Sequence, residues 1–512
     1  MPLHAPRRMS PLVLGMAEAL VRRVPPDTAR EITAITDRLR GPLQLAVAGR
    51  IKSGKSTVVN GLIGRRVSAT DVRECTRMVT RFQYGTVDRV EVRKTDGTVI
   101  TLPYDGEGVI PADLGCRPED VAVVDAYLTY DALRDVTIID TPGLASLHSQ
   151  SVGRTRAMLG GEMPTERAPA GEDAVDERSQ HAVASAEAVV YVLTQSIRAD
   201  DADALTAFRR TAGGQTTSPI NALAILNKAD QVQADDPMEA AAELAREHAY
   251  TLRHSVSQVL PLVGLMAESA RTGNFTEADA QVLRDIAALD EPLRQMLFLS
   301  TDFFVRPEIP VDVEGRERLL ARLDLYGSRK AVEAIMTDPQ ITTGRIRQLL
   351  EEDSGFPAVN TVISGVFSVR ADDIKSAVAL AALEQLAHRS PPRVRDAMAD
   401  ELEELYQHPE AQQLRLLEAA TLVSTGKVDL PDEMFDEVRR LVTGAAPDEM
   451  LGAPGASITE LVQQALDAAS RWREFATFGS NPAQSRIAHT IHRSYFMLWQ
   501  QLRTLTAGGA PS

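Results

Sequence analysis

A chain of 512 residues with 44% hydrophobic and 25% charged residues is globular in balance and too long for one ordinary domain, so two or three units are expected. Aromatics are only 4%, and long stretches rich in Ala, Leu, Glu and Arg favour helix over sheet. A net charge of −16 argues against nucleic acid as a partner without a local basic patch, and two cysteines, Cys75 and Cys116, with no repeating spacing exclude a zinc or disulfide framework and fit a reduced cytosol.

In chain order, residues 10–40 predict two helical pieces broken at Pro25 and Pro26, with Asp27 as a cap and Gly41-Pro42 as the stop. Glu18 interrupts the first apolar run and no small-residue cleavage site follows, so an amphipathic helix is expected rather than a signal peptide. No window approaches the ~18 apolar residues of a spanning helix. From Leu43 the texture changes. "LQLAVAG", "VEVRKTDGTVI", "DVTIIDTPG", "AVVYVLTQ" and "INALAILNKAD" are candidate strands, and their near-continuous apolar runs predict a mostly parallel, doubly wound α/β sheet. Residues 149–180 are polar, acidic and Gly/Pro-bearing, as in a long loop. Beyond about residue 310 only helix-period patterns recur, predicting a helical bundle or stalk that ends in a frayed "AGGAPS".

Three motifs carry chemistry. Gly49-Arg-Ile-Lys-Ser-Gly54-Lys55-Ser56 is the GxxxxGK[ST] phosphate loop, placed between an apolar run and a helical one as its mechanism demands. Its glycines let backbone amides face phosphate oxygens, Lys55 neutralises them, the Ser56 hydroxyl ligates Mg2+, and Ser53 and Thr57 complete the cradle. In "DTPG", Asp140 is the candidate for the metal side and the Gly143 amide for the γ-phosphate. "NKAD" names the base: a carboxylate at Asp230 accepts two hydrogen bonds from guanine that adenine cannot donate, the Lys228 stem covers the base face, and Asn227 belongs to the same motif. The expected cofactors are therefore GTP and Mg2+. Thr76 is the candidate switch threonine and third metal ligand, with Thr70 and Thr80 as neighbours that could substitute. "VLPLVG", around Pro261 to Gly264, is the candidate last base loop.

The order GRIKSGKS, ECTR, DTPG, NKAD and then a long helical region resembles the bacterial dynamin-like GTPases. That resemblance implies an α/β P-loop GTPase domain plus an all-α helical neck and stalk. Residues 1–40 and 481–505 would pair as a neck, 41–305 would form the head, 306–480 the stalk and 506–512 a flexible tail. It also implies GTP-driven assembly at a membrane, through self-association or a second dynamin-like protein, in a cytoplasmic protein peripheral to the inner face of the plasma membrane. The best membrane tip is a small turn with Arg389, Arg393 and Arg395 around two prolines, for which a solvated inter-helix turn is the weightier reading.

Catalysis is where the chain departs from eukaryotic dynamins. Leu144 stands where Ras-like enzymes carry a water-orienting Gln, and Ile51 and Lys52 fill the slots of the dynamin Gln-Ser pair. Lys52 resembles in position the P-loop arginine of guanylate-binding proteins, so it is either a catalytic cation in cis or a solvated side chain. Two functions follow. One is a membrane-remodelling GTPase with slow basal turnover; the other is a slow GTP-binding regulatory subunit of a heteromeric complex. An Era-like GTPase acting on RNA would need a basic appended domain that the acidic chain lacks.

Overall fold

Short runs of Val, Ile, Leu and Ala build one mixed sheet: β1 (Leu43–Gly49), β2 (Thr80–Tyr84), β3 (Arg89–Lys94), β4 (Val99–Leu102), β5 (Val121–Leu128), β6 (Val136–Asp140), β7 (Ala188–Leu193), β8 (Ala222–Asn227) and β9 (Gln258–Leu262). The computed structural model describes residues 9–50, 52–67, 78–106, 108–141, 186–195, 219–306, 308–368, 370–408, 411–444, 446–479 and 481–508. The long loop expected at 149–180 lies outside them. Strand order is β4-β3-β5-β2-β6-β1-β7-β8-β9. β6, β1, β7, β8 and β9 are parallel, β2 runs antiparallel to β6, and β5, β3 and β4 extend that edge. β1 lies between β6 and β7, a position that opens a crevice at its carboxyl end. The stretch "VEVRKTDGTVI", read above as one strand, is a hairpin: β3 and β4 pair antiparallel across a turn in which Gly97 takes φ +86°.

The longer helices in the first part of the chain are α1 (Ser10–Val21), α2 (Pro26–Arg40), α3 (Lys55–Ile63), α4 (Pro237–Thr251), α5 (Gly264–Arg271), α6 (Glu277–Ala287), α7 (Val313–Thr337) and α8 (Thr343–Asp353). They continue as α9 (Ala371–Arg389), α10 (Pro392–Gln407), α11 (Gln412–Ser424), α12 (Asp432–Thr443), α13 (Ile458–Glu474) and α14 (Pro482–Gly508), the last running into the tail expected at 506. Caps set several starts. The Asp312 carboxylate accepts the Gly315 amide, and Ser457 with Glu460 forms a reciprocal capping box.

Helices cover both faces of the sheet. On one face Ala46, Tyr191 and Leu226 pack with Met266, Leu283, Leu319, Leu323 and Leu350. On the other, Val47, Val190 and Ile225 meet Val58 and Val59 of α3 together with Phe356 and Phe367. The apolar packing of the head thus runs past the boundary expected at 305 and takes in α7 and α8. Buried Arg316 locks that junction, donating Nη1 to the Phe304 carbonyl at 2.5 Å and Nη2 to the Arg306 and Val311 carbonyls at 2.8 and 3.0 Å. Replacing Arg316 with Met strands those acceptors and is expected to lower stability by about 3 kcal/mol in urea unfolding.

Two further apolar clusters make the helical part. α1 and α2 pack with α9 and α10 through Val13, Leu20, Ile32, Leu383 and Met398. α11 to α14 pack around Trp472, Ile491 and Tyr495. The terminal segments expected to pair in a neck enter different clusters: α1 lies beside α9 and α10, and α14 lies along α13 and α11.

Candidate functional site

The carboxyl ends of β1, β6 and β8 come together at one edge of the sheet. β1 ends at Gly49, where φ is +152° and an added Cβ would stand 2.5 Å from the Val192 carbonyl oxygen. The chain turns through Lys52, an exposed residue at φ +64°, and the Ser53 amide closes the loop on the Arg50 carbonyl at 3.2 Å. Gly54 at φ +88° then opens α3, whose first residues are Lys55, Ser56 and Thr57, all half-buried. Their amides lie at a helix N-terminus, where backbone N–H groups and the helix dipole favour an anion.

Lys55 donates Nζ to the Arg50 carbonyl at 3.2 Å. Burial holds its pKa below the usual lysine value, opposed by the nearby charge of Asp140. Asp140 ends β6 directly beside Val47 in register. The next residue, Thr141, fixes that exit by donating its amide and its hydroxyl to the Val47 carbonyl at 3.3 and 3.0 Å. No motif reading singles Thr141 out.

Asn227 ends β8 and bridges two loops. Its Nδ2 donates to the Ser53 carbonyl at 2.8 Å, and its Oδ1 accepts the Gly264 amide at 2.9 Å, both buried. The fit leaves no room. A Cβ on Gly54 would fall 2.2 Å from Asn227 Nδ2, and one on Gly264 would fall 2.6 Å from Oδ1. Asn227 thus ties the phosphate loop to the start of α5, a connection that the NKAD spacing alone does not disclose. Lys228 follows at φ +59°, and Asp230 lies one residue beyond Ala229. Burial, and then the neighbouring charge of Asp324, push the Asp230 carboxyl up to about 6.

A buried polar layer supports the loop from behind. Asn60 of α3 donates to Glu268 of α5 at 2.8 Å and accepts the Val67 amide at 3.0 Å. Arg271 donates to the Gly61 carbonyl at 2.7 Å, pairs with Glu351 of α8 at 2.6 Å, and lies 4.1 Å over the Phe356 ring. These residues sit among helix-period positions in the sequence, so no local signal marks them.

The cradle suits a nucleotide. Ser53 Oγ is buried with no hydrogen-bond partner among the described residues, and two glycines stand where any side chain would fill the curl. Ser56 and Asp140 are the described oxygen donors that could hold Mg2+, which would neutralise phosphate charge. Thr76 and Gly143, together with Ile51 and Leu144, lie outside the described residues. Arg389, Arg393 and Arg395 lie at the exposed turn between α9 and α10. There Arg389 pairs with Glu31 of α2 at 3.5 Å and Arg395 with Asp396 at 3.3 Å.

The sequence profile of the dynamin family matches residues 45–211. Over 482 residues the chain is 29% identical to the isoniazid-induced protein IniC of Mycobacterium tuberculosis, strains CDC 1551 / Oshkosh and H37Rv, covering 91% of this chain and 92% of the relative. It is 38% identical over 129 residues to a bacterial dynamin-like protein of Nostoc punctiforme, 22% of this chain and 18% of that one. A solved oligomerised bacterial dynamin pair shares 11% identity at a TM-score of 0.33, covering 96% of this chain and 90% of that one.

Proposed function

We propose, from the premise that this chain is a bacterial dynamin-like GTPase, that it binds GTP with Mg2+, hydrolyses it slowly, and couples the cycle to assembly with itself or with a second dynamin-like protein at a membrane surface. The observation that carries the nucleotide reading is the Asn227 bridge, which sets the phosphate loop and the base-reading turn of Asp230 on one edge of the sheet. Lys55 and the α3 amides hold the phosphates, Asp230 reads the base, and Ser56, Asp140 and Thr76 take the metal side. Hydrolysis then rests on electrostatic stabilisation rather than on a positioned amide, because the P-loop slots hold Ile51 and Lys52. Exposed Lys52 supplies that charge in cis once phosphate is present.

The neck, head and stalk division remains our assignment for how force passes through the chain, with the head's apolar packing continuing through α8. No helix among the described residues is long and apolar enough to cross a membrane. The dynamin-like reading places membrane contact at the surface of a cytoplasmic chain. Two of the three tip arginines already have acidic partners. That observation, with the missing water-positioning side chains, favours a second reading: a slow GTP-binding subunit whose partner supplies the membrane activity.

Turnover measured with and without anionic liposomes separates the two. Liposome-stimulated GTP hydrolysis that is lost in Lys55→Ala supports the remodelling enzyme; nucleotide binding with liposome-independent, near-zero turnover supports the regulatory subunit. Unchanged turnover in Lys52→Ala removes the cation in cis. Pelleting unaffected by replacing Arg389, Arg393 and Arg395 removes the tip. Equal competition by ATP overturns the base assignment.

A further inference from the structure

A cavity of about 240 Å³ opens in the helical body between α12, α13, α14 and the short helix Pro447–Leu451. That volume is below the range of drug-sized ligand sites. Tyr495, only 1% exposed, lines it together with Arg440, Leu451 and Ala468, and Asp467 and Arg471 stand at its exposed rim. Arg440 is seated against the backbone of Gly452: a Cβ there would lie 2.9 Å from its Nε, and Gly452 takes φ +70°. The Arg440 Nε is buried with no hydrogen-bond partner, and no ion pair matches its charge among the described residues. A buried donor of this kind is costly unless a group from outside the chain meets it. The other charges around the cavity already have partners. Glu437 accepts Arg471 Nη2 on one oxygen and Trp472 Nε1 on the other, both at 2.7 Å. The Asp467 carboxylate accepts the Gln463 side-chain amide at 2.9 Å along its own helix. Burial, and then the charge of Glu437, raise the Tyr495 pKa against Arg440 and Arg471, so its hydroxyl stays a donor.

The geometry points to this cavity as a binding site for a small organic acid with a single negative charge. Its carboxylate meets Arg440 and the Tyr495 hydroxyl, and its short apolar part meets Leu451 and Ala468. A guanidinium and a carboxylate match in charge and in planar shape. One charge is the limit, because Glu437 and Asp467 border the same space and a phosphate dianion would face two like charges. A cation would face Arg440, while both bordering carboxylates already hold partners. Such a ligand ties α12 to α14 directly. Its occupancy therefore acts on the packing of the helical body independently of the nucleotide. No sequence pattern reports the site, because Arg440, Asp467 and Tyr495 stand on three different helices whose periods are otherwise ordinary.

The test is titration of the full nucleotide-free chain with butyrate, butylammonium and inorganic phosphate at equal ionic strength. Binding is read by thermal melting and by tryptophan fluorescence, since Trp472 borders the cavity through Glu437. Butyrate should bind saturably, half-maximal at about 1–10 mM, as expected of so small a ligand. Tyr495→Phe keeps the ring and loses only the hydroxyl. It should weaken butyrate about tenfold, with the melting temperature of the empty chain unchanged. Arg440→Gln should abolish the response at concentrations that saturate wild type. Butylammonium should give no saturable change, and phosphate should bind about tenfold more weakly than butyrate. Absence of saturation by butyrate in wild type overturns the site, as does wild-type affinity in Tyr495→Phe. An equal response to butylammonium overturns the charge assignment, and phosphate binding as tightly as butyrate overturns the single-charge limit. Should Arg440→Gln fail to fold, Tyr495→Phe decides alone.

Discussion

Asn227→Ala is expected to lose nucleotide binding and stability together. The truncation leaves the Ser53 carbonyl and the Gly264 amide buried and unpaired. At about 1–3 kcal/mol for each stranded group, the empty chain should lose roughly 2–6 kcal/mol in urea unfolding. GTP affinity should fall about a hundredfold, because about 3 kcal/mol of loop positioning is then drawn from the binding energy. Asn227→Asp separates the two bonds: it keeps an acceptor for the Gly264 amide but places a carboxylate against the Ser53 carbonyl. Its loss should match or exceed that of Ala for nucleotide while the α5 contact survives. An Asn227→Ala chain with wild-type affinity would remove the bridge from the mechanism.

GTP affinity should rise with pH through about 6 and level off above it. Guanine needs an ionised acceptor, and the Asp230 carboxyl in the empty site is raised from 3.8 to about 6, first by burial and then by Asp324, with Lys228 opposing. Below pH 6 the slope should approach about tenfold per unit, one proton being released on binding. The empty chain behaves oppositely. A carboxyl raised above its unfolded value holds its proton more tightly when folded, so its unfavourable contribution is complete above about 6 and is relieved as pH falls from 6 toward 4. Acidification should therefore strengthen the empty chain locally while weakening GTP binding, and the stabilisation conferred by GTP should shrink from both sides. Nucleotide titrations between pH 5 and 8, beside thermal melts with and without GTP, measure this. Asp230→Asn should bind GTP weakly and with no such slope; a flat profile in wild type would remove Asp230 as the titrating acceptor.

The candidate nucleotide site is the most legible part of the chain because its motifs are local. Gly49, Gly54 and Lys55 lie within one turn of backbone, and Asn227 to Asp230 follow a strand whose apolar run marks its own end. What binds these pieces to each other was not local. Thr141, Gly264 and Arg271 act through bonds to distant carbonyls and amides, and nothing in their immediate neighbours records the partner. The short strands on the antiparallel side of the sheet were harder again: "TRFQY" is largely polar, and "VEVRKTDGTVI" contains its own turn at Asp96-Gly97. Helical periodicity had the opposite weakness. It marks an apolar face on α7 and α8 but cannot say what that face meets, so helices that complete the head read as part of the helical body.

The chain crosses between the α/β part and the helical body at two points that lie side by side. The α/β part is entered from α2 at Gly41 and left toward α9 near Arg370, and Lys375 of α9 donates to the Gly41 carbonyl, so entrance and exit lie against each other. Beside them Glu187, just ahead of β7, accepts the Gln44 amide at 2.8 Å. Away from those crossings the helical body also docks on the α/β part: a His254 ring nitrogen lies 3.0 Å from the Ser424 carbonyl, the same ring stands edge-on to Phe435, and Ile220 packs in the cluster of Leu417 and Trp472. The helical body therefore meets the α/β part along two lines, one at the Gly41–Lys375 crossing and one, remote from it in sequence, at His254 and Ser424.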